Sequence, residues 1–329
     1  MKFSDSKRNP KDYKFRLGKK VTICPKCHRR TFKPFVDDNG IILDLSVGRC
    51  NRENHCGYFM PPREYYAIHP TEIPSSNPMR ATAPTAKQAV PPGLYSRDIM
   101  DKSVEQGLWS ENNMSRYLLT HYSSEVVEKV CEWLKVGSAR KGMDRTIFWM
   151  VDRFNCVRGG KLMAYDRNAR RRKDIHDAVR WVHNYPETRH YWLNPTLSFL
   201  FRACYFGSYL PADFTGTVYL VESEKTAVAL ACHMEKRGKY LTECAVMATG
   251  GASNLQFYDE DIEDPYHRIA ALRNRNVVLI PDADAVEKWQ EYVDRLKKVC
   301  KSVSLLDLRD KYIGPSDDPM DLLEAYGAW

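Results

Sequence analysis

Two short apolar segments that each end in acidic residues constrain the fold of this chain most. One runs from Thr217 to Val221 and is followed by Glu222, and the other runs over 276–280 and is followed, after one proline, by Asp282 and Asp284. Both are rich in β-branched residues and precede segments with helical spacing of apolar positions, which is typical of buried parallel strands joined by helices. Because the carboxyl ends of parallel strands meet at one edge of a sheet, we expect the three acidic side chains to converge there.

Such a convergence of carboxylates has a chemical and a structural interpretation. Crowded carboxylates repel one another unless a hard divalent cation, Mg²⁺ or Mn²⁺, takes their oxygens as ligands. Each acid alone also suits a structural role, because Asp is a common helix N-cap and Glu in a first helical turn interacts favourably with the helix dipole. The pairing and order of the three acids favour the metal site.

A second metal site is predicted from the cysteines near the N-terminus. Two residues separate Cys24 from Cys27 within one turn, and Cys50 and Cys56 follow in a second segment. Four thiolates on two turns form the tetrahedron that Zn²⁺ prefers. The spacing of the second pair is wider than usual, so His55 is an alternative ligand to either of its cysteines. The six other cysteines lie singly among apolar neighbours, which indicates reduced core thiols.

The segment between the cysteine pairs predicts a β-hairpin. Residues 31–36 and 41–45 flank the turn sequence Asp37-Asp38-Asn39-Gly40. Together with the four cysteines, this hairpin predicts a zinc ribbon.

The distribution of charge indicates a polyanionic partner. From residue 213 onwards there are 14 basic and 21 acidic residues, so within a net charge of +8 the first 212 residues carry +15. A basic first half suits contact with a nucleic-acid backbone. Arg170, Arg171 and Arg172 stand in a run of four basic residues and are candidates for this contact, although an exposed loop would have the same composition.

Composition also predicts the location and domain organisation of the protein. There is no apolar run of eighteen residues and no signal-peptide pattern, so we expect a cytoplasmic protein that does not contact membranes. A stretch rich in Pro, Ser, Thr and Ala predicts a linker. The expected fold class is α/β, with a zinc ribbon and basic arm, a linker, an α+β subdomain with a helical region and a hairpin, and a parallel-sheet domain, over residues 1–69, 70–95, 96–212 and 213–329.

Four further motifs carry a resemblance to a known family. They are Arg158-Gly159-Gly160-Lys161, Tyr191-Trp192-Leu193-Asn194-Pro195-Thr196, Val221-Glu222-Ser223-Glu224-Lys225-Thr226-Ala227 and Ala248-Thr249-Gly250-Gly251. In this order, behind a zinc ribbon, they resemble the core of DnaG-type bacterial primases, which ends in a toprim domain. The chain is also similar to primase-like toprim proteins of mobile elements in Bacteroides-type bacteria.

The resemblance implies synthesis of RNA primers on single-stranded DNA from nucleoside triphosphates, by metal-dependent nucleotidyl transfer, with a replicative helicase as a further partner. It implies that Glu222, Asp282 and Asp284 hold Mg²⁺ or Mn²⁺ and that Arg158, Lys161 and Lys225 meet phosphates. Three residues have secondary roles with a structural alternative for each: Glu224 and Asp318 as further acids or helix-terminal residues, and Asn194 as part of a template groove or a buried turn.

Two other functions are consistent with the same motifs. A toprim nuclease would use the same carboxylates to activate water instead of a sugar hydroxyl. A non-catalytic binder of single-stranded DNA would resemble recombination mediators that combine a zinc motif with a toprim domain. The presence of all three acids favours catalysis, because a binder gains nothing from clustered negative charge near phosphate.

Overall fold

The computed structural model describes residues 15–37, 40–52, 55–62, 64–65, 91–105, 108–139, 145–193, 200–312, 314 and 317–325. Contacts between residues divide the chain into two compact units, 1–88 and 89–329. Most of the predicted linker lies outside the described residues, as does Asn194.

The first unit contains an antiparallel sheet with strand order β1-β2-β3-β4. Its strands are Arg16–Leu17 (β1), Phe32–Val36 (β2), Gly48–Cys50 (β3) and Phe59–Met60 (β4). Phe32 is fully buried and packs with the cysteines rather than with a large apolar core. A core this small is typical of domains that depend on a bound metal for stability.

The predicted hairpin of this unit is partly wrong. Strand β2 pairs with Gly48–Cys50, whereas residues 41–45 pair with its end only as far as Leu43: Ile42 bridges Val36, and the backbone N–H of Leu43 donates to the carbonyl oxygen of Phe35 (3.0 Å). The side chain of Asp44 accepts a hydrogen bond from the backbone N–H of Ser46 (2.7 Å), which turns the chain before it can form a strand. Gly48 then approaches β2 so closely that a Cβ there would lie 2.3 Å from the carbonyl oxygen of Lys33.

The second unit begins with helices and an antiparallel sheet of order β5-β6-β7-β8. The helices are Asp98–Val104 (α1), Asn113–Leu118 (α2) and Ser124–Leu134 (α3), and the strands are Val136–Ser138 (β5), Arg145–Val151 (β6), Val157–Ala164 (β7) and Val179–Trp181 (β8). The hairpin predicted within residues 96–212 is confirmed, since β6 pairs with β7, and Asn155 in its turn has a left-handed φ of 62°. Ser123 caps α3, since its side chain accepts a hydrogen bond from the backbone N–H of Val126.

A four-stranded sheet with every pair parallel follows, in the order β10-β9-β11-β12. Its strands are Thr217–Val221 (β9), Cys244–Ala248 (β10), Asn276–Ile280 (β11) and Ser302–Leu305 (β12), and the helices of this part are Glu224–Glu235 (α4), Val286–Leu296 (α5) and Pro319–Ala325 (α6). The two predicted strands are therefore confirmed, and they are adjacent. The chain continues from β9 to β10 on one side and then crosses to β11 on the other side of β9. The strand order therefore reverses between β9 and β11.

Both faces of this sheet are covered, as expected for parallel strands. Leu220 packs on the face that carries the fully buried Trp289 of α5, whereas the next residue, Val221, packs on the face covered by α4. Val130 of α3 belongs to that second core as well. The predicted boundary between residues 212 and 213 thus falls inside one unit with a shared core.

Within the described ranges, every helix is too short or too polar to cross a lipid bilayer.

Candidate metal centres

The four predicted cysteines come together at one point of the first unit. The Sγ atoms of Cys24, Cys27, Cys50 and Cys56 all lie within 4.8 Å of one another. A tetrahedron with Zn–S bonds of about 2.3 Å has S–S edges of about 3.8 Å. The measured Sγ–Sγ distances are 3.6 Å for Cys24–Cys56 and 3.9 Å for Cys27–Cys50, so the thiols match the dimensions of a zinc site. His55 is exposed and lies outside this group.

The turn that carries the first two cysteines also prepares a thiolate. The backbone N–H of His28 bonds the carbonyl oxygen of Cys24 (2.9 Å), and His28 itself adopts a left-handed φ of 53°. A backbone hydrogen bond from Arg29 lowers the pKa of Cys27 to about 6. Because the thiolate is the form that binds zinc, this turn favours metal binding at Cys27, whereas burial raises the pKa of the Cys56 thiol.

In the second unit, two of the predicted acids lie at the carboxyl ends of β9 and β11, where the strand order of the parallel sheet reverses. Val221 and Ile280 are paired in the register of β9 and β11. Glu222 follows Val221 directly, and Asp282 stands two residues beyond Ile280. The connections leave these two strands in opposite directions, which opens the crevice where parallel α/β sheets bind ligands. The convergence predicted from the strand pattern is therefore present for this pair.

Each of these two carboxylates has a buried oxygen without a hydrogen-bond partner. The atoms are Oε1 of Glu222 and Oδ1 of Asp282. Glu222 is 8% exposed, and although Asp282 is half-buried as a residue, its Oδ1 is shielded from solvent. Burial and then the charge of Asp284 raise the pKa of Glu222 to about 7, while burial and then the charge of Glu222 raise the pKa of Asp282 to about 9. The fold thus brings together two acids that disfavour each other's charge.

Three further acids surround the pair. Asp284 is exposed and raises the pKa of both central carboxylates. Asp318 and Asp321 act on Asp282 in the same direction. Asp318 also caps helix α6, since its Oδ1 accepts from the backbone N–H of Met320 (2.7 Å), as its alternative interpretation predicted. Asp321 had no sequence signal of its own, because it lies beyond the predicted cap within a short helix.

The carboxylate oxygens are spread more widely than the thiols. Among the residues that the structure describes, the acids do not form a group with ligand atoms all within 4.8 Å, whereas the four cysteines do. Mg²⁺ is compatible with this spread, because it keeps several waters and binds proteins through one or two carboxylates.

A glycine turn holds the end of β9 in place. The backbone N–H of Gly250 bonds the carbonyl oxygen of Glu222 (2.8 Å), and Gly250 has a φ of +79°. A Cβ at this position would lie 2.9 Å from Oε1 of Glu224. The Thr249–Gly251 turn therefore needs glycine for both its backbone conformation and its close approach to the acidic segment.

Glu224 and Lys161 form a buried ion pair instead of contacting solvent. Nζ of Lys161 lies 2.9 Å from Oε2 and 3.0 Å from Oε1 of Glu224, and Glu224 is 2% exposed. The same ammonium reaches the carbonyl oxygen of Gly250 at 3.4 Å. Lys161 is thus placed on strand β7 to tie the antiparallel sheet to helix α4 and the glycine turn, and its predicted contact with phosphate is not supported by this position.

Two lysines lie near the acids. Lys225, a predicted phosphate ligand, is half-buried and acts electrostatically on Asp321. Lys288 acts on Glu222 and donates to Oγ of Ser253 at 3.3 Å. Sequence analysis missed Lys288, although a lysine in the first turn of the helix after Asp282-Ala283-Asp284 was a usable signal.

Arg158 lies in the interior, which corrects its predicted role. It is 2% exposed, its Nε lies 2.7 Å from Oδ2 of Asp152, and its Nη1 donates to the carbonyl oxygen of Tyr266 (2.6 Å). A guanidinium committed to a buried carboxylate is unavailable to a phosphate in solvent, so Arg158 connects the hairpin turn at Asp152 to the backbone at Tyr266.

The arginine run lies on the surface but is not uniform. Arg170 and Arg171 are exposed, whereas Arg172 is partly buried and pairs with Asp174, with a shortest N–O distance of 2.6 Å. The run begins after a turn at Ala169, where φ is 54°. Two of the three predicted arginines are therefore presented to solvent without a comparable salt bridge in the described structure.

The described chain combines a four-thiol zinc-ribbon fold with an α/β unit whose parallel sheet carries carboxylates where its strand order reverses. Residues 112–283 match the family described as "Domain of unknown function (DUF6371)", and residues 12–71 match a family described as a zinc beta-ribbon finger. Because the first match covers more than half of the sequence, the chain belongs to the DUF6371 family. No curated protein matches the chain.

Two solved structures are similar to the chain at low sequence identity. One is the primase fragment of the bacteriophage T7 primase-helicase protein, with a TM-score of 0.38 and 12% identity over 96% of each chain. The other is the Aquifex aeolicus primase with its zinc-binding and RNA polymerase domains, with a TM-score of 0.35 and 10% identity over 97% of this chain and 79% of that one. Similarity at this level carries no assignment of activity.

Proposed function

We propose that this protein is a primase-like enzyme that uses Mg²⁺ or Mn²⁺ for nucleotidyl transfer on single-stranded DNA, and that residues 213–329 form a toprim-type domain. The observation that carries the proposal is that Glu222 and Asp282 each have a buried oxygen without a hydrogen-bond partner, at the point where the strand order of the parallel sheet reverses. A buried polar atom without a partner typically costs about 1–3 kcal/mol, and more when it is charged. Such atoms at a ligand crevice suit a cation site.

The residues present fit a hard cation. The set consists of carboxylates without a thiol or imidazole, which suits Mg²⁺ and Mn²⁺ rather than softer metals. Glu222 and Asp282 would be the inner ligands, and the exposed Asp284 would complete the site, directly or through water. When bound, the cation would lower the pKa of a 3′-hydroxyl and offset the charge of a triphosphate.

Other residues have supporting roles in this proposal. Lys225 and Lys288 lie near the acids and would contact the phosphates of a nucleoside triphosphate. The ion pair between Glu224 and Lys161 positions the glycine turn that bonds the carbonyl of Glu222. Asp318 acts mainly as the cap of α6, and we do not assign it a ligand role.

The exposed arginines and the ribbon would bind the single-stranded template. Each phosphate contact on a single strand contributes about 0.7 to the slope of log affinity against log salt. Replacing Arg170 and Arg171 with Gln together should therefore make this slope shallower by about 1.4. Arg172→Gln is the matched control, because its charge is already paired with Asp174. A slope unchanged in the double variant would assign both arginines to solvated surface.

A primer-synthesis assay tests the proposed reaction. The assay would follow incorporation of labelled ribonucleotides on single-stranded DNA with Mg²⁺ or Mn²⁺, for the wild-type protein and Glu222→Gln. Glu291→Gln makes the same chemical change at an exposed position of α5 and is expected to leave synthesis unchanged. Metal-dependent synthesis that Glu222→Gln abolishes would support the proposal.

Two other outcomes would replace it. Metal-dependent cleavage of the template without synthesis would identify the toprim nuclease that uses the same carboxylates to activate water. Tight binding of single-stranded DNA with neither reaction would identify a non-catalytic binder. The primase proposal also includes replication of a mobile element and contact with a replicative helicase. An interaction assay with the host helicase would test the second part.

A further inference from the structure

A basic cavity lies at the edge of the parallel sheet opposite to the acids. It has a volume of about 180 Å³, and its lining includes Thr215, Arg273, Asn274, Arg275, Asn276 and Lys301. These residues immediately precede or begin strands β9, β11 and β12. Since these strands are parallel, the cavity lies at their amino ends, one strand length away from Glu222 and Asp282.

The arginines of the cavity are held by backbone oxygens. Nε of Arg275 donates to the carbonyl oxygen of Ala271 (3.2 Å), its Nη1 donates to that of Phe214 (3.4 Å), and its guanidinium lies over the Phe214 ring. Nη2 of Arg273 donates to the carbonyl oxygen of Ile262. A guanidinium has five N–H donors, so these contacts orient each fork without using all of its donors.

Positive charge is concentrated around this cavity. Burial and then the charge of Arg153 lower the pKa of Arg275, and burial and then the charge of Arg273 lower the pKa of Arg153. The three guanidinium groups of Arg153, Arg273 and Arg275 therefore lie close enough to affect one another's pKa. Lys301 adds an exposed ammonium group at the cavity wall.

The acids nearby do not balance this charge. Asp152, which acts on Arg153, is already paired with the buried Arg158. Glu263 lies 3.8 Å from Arg273, but its side chain is 86% exposed, and an exposed ion pair of this length contributes little. Backbone hydrogen bonds explain the orientation of the arginines, but they do not explain why three cationic side chains, Arg273, Arg275 and Lys301, line one cavity.

We propose that this cavity binds a phosphate group, supplied either by the backbone of a single-stranded nucleic acid or by a free nucleotide. Arg273 and Arg275 offer planar donor forks that suit phosphate oxygens, and the side chains of Asn274 and Asn276 add neutral polar groups at the wall. The site is separate from the carboxylate cluster. Its occupancy therefore does not require Mg²⁺ and does not depend on the proposed primase activity.

The test uses Lys301→Glu combined with Arg273→Gln, and leaves Arg275 intact because its backbone bonds support the fold. Binding of a fluorescent dT₂₀ oligonucleotide would be measured by anisotropy over a range of salt, and binding of pyrophosphate by calorimetry, both in buffer without Mg²⁺. Lys129→Glu is the control, since it reverses an exposed charge on helix α3. The single variant Lys301→Glu, at an exposed side chain, guards against misfolding of the double variant, and Lys301→Arg should retain binding.

For backbone phosphate, the double variant should bind dT₂₀ about tenfold more weakly at low salt, with a log–log salt slope shallower by about 1.4. For a free nucleotide, pyrophosphate should bind the wild-type protein and fail to bind the variant, while the affinity for dT₂₀ matches that of Lys129→Glu. Either result supports the phosphate site and identifies its source. If dT₂₀ binding by the double variant matches that of Lys129→Glu and pyrophosphate binding is absent from the wild type or unchanged in the variant, the proposal is overturned.

Discussion

The thiols of the ribbon already lie at the distances of a metal site, whereas the carboxylates of the parallel sheet are spread more widely. Cys24 and Cys56 place their Sγ atoms 3.6 Å apart, close to the edge of a zinc-thiolate tetrahedron. Glu222 and Asp282 lie at adjacent strand ends, yet each keeps a buried oxygen without a partner, and the acids are not gathered within 4.8 Å as the thiols are.

The difference follows from charge and from the origin of each cluster. Protonated thiols are neutral and can pack together before a metal arrives, whereas ionised carboxylates repel at short range. The thiols lie on two local turns, while the acids come from strands about sixty residues apart. The ribbon is therefore expected to need its metal in order to fold, and the sheet to fold without a metal and bind one afterwards. Four predictions test this contrast.

The largest effect is expected at the ribbon. Cys24→Ser should release zinc and unfold residues 20–65, because zinc binding to small structural sites contributes about 10–16 kcal/mol. The second unit should stay folded. Metal analysis should find one zinc per wild-type chain and none in the variant, and hydrogen exchange should show loss of protection confined to the ribbon.

Cys156→Ser is the matched control for this prediction, because it makes the same substitution in the hairpin turn of the second unit. It should keep its zinc. Freshly purified, reduced wild-type protein without zinc would disprove the metal site.

A smaller but still large effect is expected at Asp282. Asp282→Asn removes a charge and one oxygen ligand, and a bound metal typically contributes several kcal/mol of transition-state stabilisation, so metal-dependent turnover should fall about 10³-fold. Folding should not suffer, because the change also removes like-charge repulsion in a buried site. Turnover and melting temperature would be measured on the same samples.

Asp318→Ala serves as the comparison, since it removes the side-chain oxygen that caps helix α6. Loss of a cap costs about 1 kcal/mol of stability and leaves metal dependence unchanged. An Asp282→Asn variant that is less stable but fully active would show that Asp282 is structural.

The stability of the second unit should depend on pH in Mg²⁺-free buffer. Unfolded Asp and Glu lose their protons near pH 4, whereas Glu222 and Asp282 hold theirs in the folded state to about pH 7 and about pH 9. The folded state therefore binds more protons between these values, and the free energy of unfolding should decrease as the pH rises through that window. Both shifts act in the same direction, so the wild-type protein should lose stability over the whole range from about pH 4 to about pH 9.

The measurement is the difference in unfolding free energy between the wild-type protein and the Glu222→Gln/Asp282→Asn double variant across pH. Taking this difference cancels the contributions of other titrating groups. Mg²⁺ at pH 8 should stabilise the wild type by mass action and leave the double variant unaffected. Parallel pH profiles for the two proteins would show that folding does not raise the pKa values of Glu222 and Asp282.

The smallest effect concerns DNA binding. Asp284 is exposed at the acidic edge, and one unit charge about 8 Å from a phosphate contributes about 0.5 kcal/mol in water. Asp284→Asn should therefore tighten binding of single-stranded DNA about twofold at low salt without Mg²⁺. Glu291→Gln changes the net charge equally and should have a smaller effect if the DNA passes near the acids.

Local sequence patterns predicted a large part of the fold of this protein. The β-branched runs that end at Glu222 and before Asp282 predicted both central strands, since an apolar run between breakers specifies a buried strand. The short spacing of Cys24 and Cys27 specified a metal turn by the same local logic. The predicted pairing of residues 41–45 is confirmed only as far as Leu43, because a turn at Asp44 and the close approach of Gly48 decide which residues pair with the rest of strand β2.

Only the tertiary structure decided which charged side chains meet. It buries Arg158 against Asp152, pairs Lys161 with Glu224, and brings Lys288 and Asp321 into reach of the acids. No local pattern contains this information, because the residues of each pair lie on different elements or come together through sheet order. Strand periodicity specifies which face a side chain occupies, whereas the order of the strands specifies its neighbours, and neighbouring charges decide whether an acid is a cap, an ion-pair partner or a candidate metal ligand.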